Sequence, residues 1–280
     1  YRTRRNKKMF FIYTLFTAAV ISDLFAILPR FSRRKAMAAY RRTMFAHRGY
    51  HSLKHGIPEN SMAAFRAALK RGYGIEIDLH LTRDGQLAVF HDDTLERICK
   101  RPEVIETLTR KELDACRLSG TSEKIPTFEE VLELVNGQVP LLIELKIPGS
   151  PEPICRETLR QLDGYNGPFL IQSFNTMGIR WFKLHAPWIL RGQLSSNLTR
   201  EPLKEAWIFR FIVKHLLSNF LGRPDFISYC LNDLPVVNVW ILKHIFHVPV
   251  AVWTLRTSDM LKRGKQHFDM QIFERHHENY

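Results

Sequence analysis

Residues 74–92 read GIEIDLHLTRDGQLAVFHD, and the first eight of them indicate what kind of sheet this chain builds. Ile75, Ile77, Leu79 and Leu81 alternate with Glu76, Asp78 and His80, which is the period-two pattern of a strand. Asp84-Gly85 then supplies a hairpin turn that sends the chain back through QLAVFH, residues 86–91. The polar side of the strand carries two carboxylates, Glu76 and Asp78, at a spacing that points both the same way. Alone, such a pair more often meets a cationic side chain than a ligand.

Working outward, short apolar or alternating runs recur at 44–47, 140–147, 168–174, 188–194, 224–230, 249–255 and 268–274. Helical intervals separate them. NSMAAFRAALKRG (60–72) places Met62, Phe65, Ala68 and Leu69 at helical spacing, with Asn60 or Ser61 as cap and Gly72 beyond the end. TRKELDAC and TFEEVLELV read as helices capped by Thr109 and Thr127, with acidic residues in their first turns. With the 86–91 arm treated as an extension, eight strands alternate with helices. That rhythm predicts an α/β fold, a (β/α)₈ TIM barrel. An open doubly wound sheet would be the alternative, but no G-x-G-x-x-G turn is present.

The formal charge of +13 is concentrated at one end. Residues 1–42 carry eleven Lys and Arg against Asp23 alone, whereas the rest of the chain holds 30 basic and 27 acidic residues. This basicity flanks MFFIYTLFTAAVISDLFAIL, residues 9–28, twenty residues that end at Pro29. A helix of that length spans roughly the 30 Å hydrocarbon core of a bilayer. Asp23 lies towards one end, where water is closer. Arg30, Arg33, Arg34 and Lys35 separate the apolar run from the small-residue stretch Ala36-Met37-Ala38, which argues against a cleaved signal peptide. The expectation is a single transmembrane helix spanning about 9–28, with residues 1–42 as anchor and linker and 43–280 as the barrel domain. Five basic residues precede the span and six follow it, so the side of the membrane is not legible. The chain does not open on Met, so residue 1 is not read as its natural start.

Membrane lipids are therefore expected partners. Nucleic acid is not, because no basic, aromatic-interleaved face occurs outside the N-terminal flank. Cys99, Cys116, Cys155 and Cys230 show no C-x-x-C pairing and read as free thiols. Residues 200–223 form an unusually aromatic helical stretch. It either packs on the barrel or lies on the bilayer surface, with Arg210 and Lys214 at the headgroups.

A barrel carries its functional groups at the C-terminal ends of its strands. Four such ends are polar here: His47-Arg48, Glu76-x-Asp78, His91-Asp92 and Glu144-x-Lys146. Glu76, Asp78 and Glu144 make an oxygen-only set that suits a divalent cation such as Ca²⁺ or Mg²⁺ rather than Zn²⁺. Two histidines can take and give a proton near neutrality, and Arg48 and Lys146 can meet a phosphate. Together these groups suit hydrolysis of a phosphodiester.

The ordered motifs HRG (47–49), PEN (58–60), EID (76–78), TRDG (82–85) and HD (91–92) give the chain its resemblance to the glycerophosphodiester phosphodiesterase family. IPTFEEVLEL (125–134), IELK (143–146) and VWT (252–254) extend the likeness, which covers residues 43–275. The resemblance implies a (β/α)₈ barrel and a metal-dependent phosphoric diester hydrolase that yields an alcohol and glycerol 3-phosphate. It implies His47 and His91 as the acid–base pair, and Glu76, Asp78 and Glu144 as ligands of the divalent cation. Arg48 and Lys146 would contact phosphate, and Trp253 would sit at the mouth against the alcohol, with Glu59 either at the site or at a helix start. Some members first form a cyclic phosphate through the neighbouring glycerol hydroxyl, which the same histidines would serve.

Glycerophosphodiesters or lysophospholipids are the expected substrates. A phospholipase-D-like or phosphoinositide-type diesterase and a catalytically silent membrane scaffold are the alternatives. Two departures stand out. Residues 93–124 are short and polar where longer members carry an inserted subdomain. QIFER also replaces an aspartate-rich ending, so the last strand is expected to give the site nothing polar. Residues 50–57, with His51 and His55, read as a rim loop that touches the leaving alcohol.

Overall fold

The computed structural model describes residues 2–200 and 206–275, with the side chains of residues 2–5 and 8 outside that description. Parts of three expectations therefore lie outside the described residues: the start of the basic flank, residues 201–205 of the aromatic stretch, and the domain end at 276–280.

Among the described residues nine strands form one sheet: β1 (Met44–Ala46), β2 (Gly74–Leu81), β3 (Leu87–Val89), β4 (Leu141–Leu145), β5 (Phe169–Ser173), β6 (Arg191–Ser195), β7 (Phe226–Cys230), β8 (Val250–Leu255) and β9 (Met270–Phe273). Eight are parallel and close into a barrel, since β1 pairs with both β9 and β2. The remaining strand, β3, runs antiparallel on the overhanging end of β2, with His80 opposite Ala88. This is a TIM barrel with the hairpin extension read from Asp84-Gly85, and Gly85 has a φ of +79°.

The helices are α1 (Arg2–Ala26), α2 (Arg34–Met37), α3 (Met62–Leu69), α4 (Glu96–Cys99), α5 (Arg110–Leu113), α6 (Phe128–Val135), α7 (Glu152–Leu162), α8 (Thr176–His185), α9 (Trp207–Lys214), α10 (Asn219–Gly222), α11 (Val237–His244) and α12 (Ser258–His267). Of the two proposed caps for α3, Ser61 is the one used, its Oγ accepting from Ala64 N at 3.1 Å. Thr109 and Thr127 form capping boxes with Glu112 and Glu130, though α5 is only four residues long. The aromatic stretch is not one helix. It breaks into α9 and α10 around Leu216, which adopts a φ of +58°.

Strand periodicity sorts the barrel interior into layers. Leu142, Leu170, Phe226, Ala251 and Met270 join Phe45 in one buried apolar cluster. Two residues further along several of these strands come Glu144, Gln172, Trp253 and Ile272, which line the cavity above. Gly192 belongs to the packed level: a Cβ there would lie 2.3 Å from the Phe226 ring, which fills the space. Met37 and Tyr40 of the linker belong to the same cluster and close the lower end. Arg30 fixes that linker through paired contacts to Asp225 at 2.7 and 2.8 Å. Outside the barrel wall, Ile75, Ile77, Leu79, Ile143 and Leu145 pack against the helices in the main core.

The segment 93–124 is not merely polar. Leu95, Ile98, Ile105, Leu108, Leu113 and Leu118 bury themselves with Phe90 in a separate cluster beneath the hairpin, so the insertion has its own small core.

Candidate active site

At the end of β1 the His-Arg-Gly turn brings backbone and side chains to bear on β2. Arg48 has a φ of +53° and Gly49 a φ of +81°. A Cβ on Gly49 would stand 2.7 Å from that of Ala64, so both conformation and close packing demand glycine. The turn aims Arg48 N at Glu76 Oε2, 2.9 Å away.

β2 and β4 pair with Asp78 opposite Glu144, which brings their carboxylates together beside Glu76. The three residues are buried, and one oxygen from each lies within 4.8 Å of the others. Burial and the neighbouring Asp78 and Glu144 charges push Glu76 well above the usual carboxylate range. Burial acts on Asp78 in the same sense, but Lys146, His91, Arg48 and His47 overcome it and hold Asp78 far below its ordinary value. Lys146 Nζ sits 3.0 Å from Asp78 Oδ1 and 2.5 Å from Glu144 Oε1. Arg48 Nε is 3.6 Å from Asp78 Oδ2, which also accepts from Asn60 Nδ2 at 2.9 Å. The ion pairs and the carboxylate cluster weighed as alternatives in the sequence thus coexist.

This donor set fits a divalent cation. It is entirely oxygen, it is buried, and Asp78 Oδ1, sealed from solvent, has only the Lys146 ammonium 3.0 Å away beside it. Further positive charge in the cluster would oppose the burial and the Asp78 and Glu144 charges that raise Glu76.

Each candidate histidine is oriented by a carboxylate. His47 Nδ1 lies 3.0 Å from Glu274 Oε1, and Arg256 grips the same carboxylate at 3.0 and 3.2 Å. Burial lowers His47 to about 4, against the opposing pull of Glu274, so its imidazole is neutral at pH 7. With Nδ1–H donated to Glu274, the free lone pair is on Nε2. Burial would raise Glu274, yet its bonds to His47 and Arg256 bring it far down. His91 Nδ1 lies 2.6 Å from Asp92 Oδ1, and Arg97 holds Asp92 at 2.6 and 2.8 Å. His80, buried under the hairpin, contacts the His91 carbonyl at 3.2 Å through Nε2.

Glu59 joins these groups. It accepts from Arg48 at 2.7 Å and from Arg97 at 2.9 and 2.7 Å. These cations outweigh burial and lower it to about 2. Its place is therefore in the ion-pair lattice beside the site, while the cap of α3 falls to Ser61.

A cavity of about 1120 Å³ joins these elements. His47, Arg48, Glu76, His91, Glu144 and Lys146 line its polar side. Opposite are Phe174, Phe209, Ile212, Leu221 and Trp253, with Phe174 set edge-on to Trp253 at 5.9 Å.

Two expectations need correction. The last strand does supply a polar residue, since Glu274 follows β9 directly and reaches His47. The loop 50–57 does not line the cavity. Its Tyr50 instead packs against Tyr73 and Phe273, and His55 turns to Ser52 at 2.8 Å. Sequence reasoning also missed Arg97, Arg256, Asn60 and Gln172. A glutamate closing a barrel strand was the available signal for Glu274, whereas nothing local marks the arginines.

Residues 47–267 match the glycerophosphoryl diester phosphodiesterase family. The chain belongs to that family of phosphoric diester hydrolases. A glycerophosphodiester phosphodiesterase of Caldanaerobacter subterraneus is 35% identical over 167 residues, covering 54% of this chain and 65% of its own length. The chain thus spans a little under two thirds of that relative. Glycerophosphodiester phosphodiesterase 1 of Bos taurus is 34% identical over 288 residues, 88% of this chain and 82% of that protein. An Oleispira antarctica phosphodiesterase, solved in complex with its product sn-glycerol-3-phosphate, superposes with a TM-score of 0.68 at 26% identity. That match covers 84% of this chain and 94% of the other. Glu76-x-Asp78 and His91-Asp92 lie within the matched residues, and Glu76, His91 and Asp92 line the cavity.

Proposed function

We propose that this chain hydrolyses glycerophosphodiesters to an alcohol and glycerol 3-phosphate, with His47 and His91 exchanging the protons. The observation that carries this reading is the cluster of three buried carboxylates bordering a cavity lined by two carboxylate-oriented histidines. Glu76, Asp78 and Glu144 hold the divalent cation, Ca²⁺ or Mg²⁺. When bound, it supplies Lewis-acid stabilisation of charge on the phosphoryl oxygens.

Neutral His47 takes a proton at Nε2 from the attacking hydroxyl, either water or the neighbouring glycerol hydroxyl. Glu274 then stabilises the imidazolium through Nδ1–H. His91, held by Asp92, gives a proton to the departing alkoxide. Where the glycerol hydroxyl attacks, the first product is a cyclic phosphate, which water opens in a second step as His91 takes the water's proton and His47 returns one to the released glycerol oxygen. Arg48 and Lys146 remain charged among the acids and face the phosphate from the cavity wall. Trp253 and its apolar neighbours meet the alcohol, and Glu59 steadies Arg48.

The apolar wall favours a substrate with hydrocarbon character, on the alcohol or as an acyl chain on the glycerol, so lysophospholipids or lipid-derived headgroup esters are included as substrates. The N-terminal helix supports the same reading. Its Met9–Ala26 stretch is long and apolar enough to cross a membrane, and none of it is buried in the protein. We read it as a single-pass anchor that keeps the barrel at a lipid surface.

The test is a panel of glycerophosphocholine and lysophosphatidylcholine assayed after EDTA treatment and again with Ca²⁺, Mg²⁺ or Mn²⁺ restored. Glycerol 3-phosphate or its acylated counterpart should appear only on metal add-back. Absence of hydrolysis of either substrate under all conditions would overturn the proposal.

A further inference from the structure

Helix α9 is apolar on more than one side. Phe209, Ile212 and Val213 line the cavity, while Trp207 and Ile208 are each 58% exposed and lie outside its lining. Only the stripe of Arg210 and Lys214 is polar, so the apolar arc is wider than the cavity wall covers, and the excess calls for a second apolar neighbour at the barrel rim.

Its C-terminal end is firmly placed. Ser195 Oγ donates to Val213 O at 2.7 Å, and Tyr229 Oη donates to Lys214 O at 2.9 Å. Asn238 Nδ2 contacts His215 O at 2.8 Å and Asp23 Oδ1 at 3.1 Å. One side-chain amide therefore ties the end of α9 to the last turn of the apolar helix α1. Phe25 of α1 rests against Phe220 of α10 at 5.6 Å, and the Arg223 guanidinium lies over the Phe25 ring at 5.6 Å. Beyond this seam, Val237 and Trp240 of α11 are 70% and 56% exposed.

We propose that α9 lies in the interfacial layer of the bilayer that α1 enters, forming an apolar sill between the lipid surface and the active-site cavity. The proposal rests on the anchor reading of α1 given above. Lipid is the occupant because the unburied apolar span reaches the barrel at the same seam that fixes α9, and exposed apolar side chains continue on the far side. Trp207 and Ile208 point away from the cavity wall towards the acyl boundary, and Lys214 ends the helix where an anionic headgroup is a fitting partner. A lipid substrate then reaches the histidines past Phe209 and Ile212 without crossing open water.

The test uses the full chain in phospholipid nanodiscs containing phosphatidylcholine and phosphatidylserine. In a Cys99→Ser, Cys230→Ser background, Cys116 and Cys155 remain sheltered at 2% and 0% exposure. An environment-sensitive fluorophore is attached in turn at Ile208→Cys, at Ile12→Cys inside the span, and at Lys111→Cys on the hairpin subdomain. The proposal predicts blue-shifted emission at 208, quenched by lipids brominated about 5–10 Å below the headgroups, while 111 stays aqueous. If 12 is quenched and 208 resembles 111, the sill is overturned and the anchor stands. If neither 12 nor 208 is quenched, the anchor reading fails and the sill falls with it. If 208 shifts without quenching and follows protein concentration, a second copy covers α9 and the proposal is wrong.

Discussion

His47 Nδ1 lies 3.0 Å from Glu274 Oε1, so the residue after the last strand orients the histidine after the first. Barrel closure between β1 and β9 makes the contact possible, since Met44 to Ala46 run beside Gln271 to Phe273. In Glu274→Gln, kcat/KM should fall by about 10–100-fold, roughly 1.4–2.7 kcal/mol of transition-state stabilisation. Because the Glu274 carboxylate raises His47, its loss should also move the acid limb of the pH–rate profile to lower pH. A fall in rate with an unmoved limb would mean that Glu274 does not act through His47.

Glu59 links the two halves of the site through Arg48 and Arg97. Its carboxyl is lowered to about 2 from an ordinary value of 4.5, so its stabilising contribution is present above pH 4.5 and lost as pH falls towards 2. Urea midpoints of the wild type should therefore drop through that window more steeply than those of Glu59→Gln. Parallel curves would show that these ion pairs contribute nothing to stability.

Filling the carboxylate cluster should stabilise the fold by mass action. At a hundredfold excess over its dissociation constant, a divalent cation adds about 2.7 kcal/mol. Thermal unfolding should shift upward with Ca²⁺ or Mg²⁺ in the wild type, and Glu144→Gln should abolish most of the shift. An equal shift in both proteins would place the cation elsewhere.

The linker below the barrel depends on a buried pair, since the Asp225 side chain is 1% exposed and Arg30 is 14% exposed. Arg30→Ala leaves that carboxylate without its ion-pair partner, keeping the Arg191 N–H at 3.0 Å, and should cost about 3 kcal/mol, read by denaturant unfolding of the full chain. A change below 1 kcal/mol, the scale of an exposed pair, would show that water replaces the arginine.

The barrel was legible because period-two runs such as 74–81 recur at regular intervals, and because strand ends gather chemistry by geometry alone. His47, Glu76, Asp78, His91, Glu144 and Lys146 announce themselves there. Glu274 carried the same strand-end signal at the close of FDMQIFE, but QIFER in place of an aspartate-rich ending led the last strand to be discounted. Arg97 and Arg256 reach the site from beyond the strand patterns, through contacts 38 and 18 residues away in sequence that periodicity does not encode. The division of the aromatic stretch into α9 and α10 was equally silent. Leucine 216 takes a left-handed conformation where the sequence offers neither Gly nor Pro as a signal.

The central claim is proton exchange by two histidines on a phosphodiester, and its most direct measurement is release of glycerol 3-phosphate from glycerophosphocholine. Wild type, His47→Ala and His91→Ala would be compared with the divalent cation restored. Each substitution should lower kcat by about 10²–10⁴-fold while circular dichroism shows the fold intact. Undiminished turnover in both variants, or phosphocholine as the product, would contradict the account.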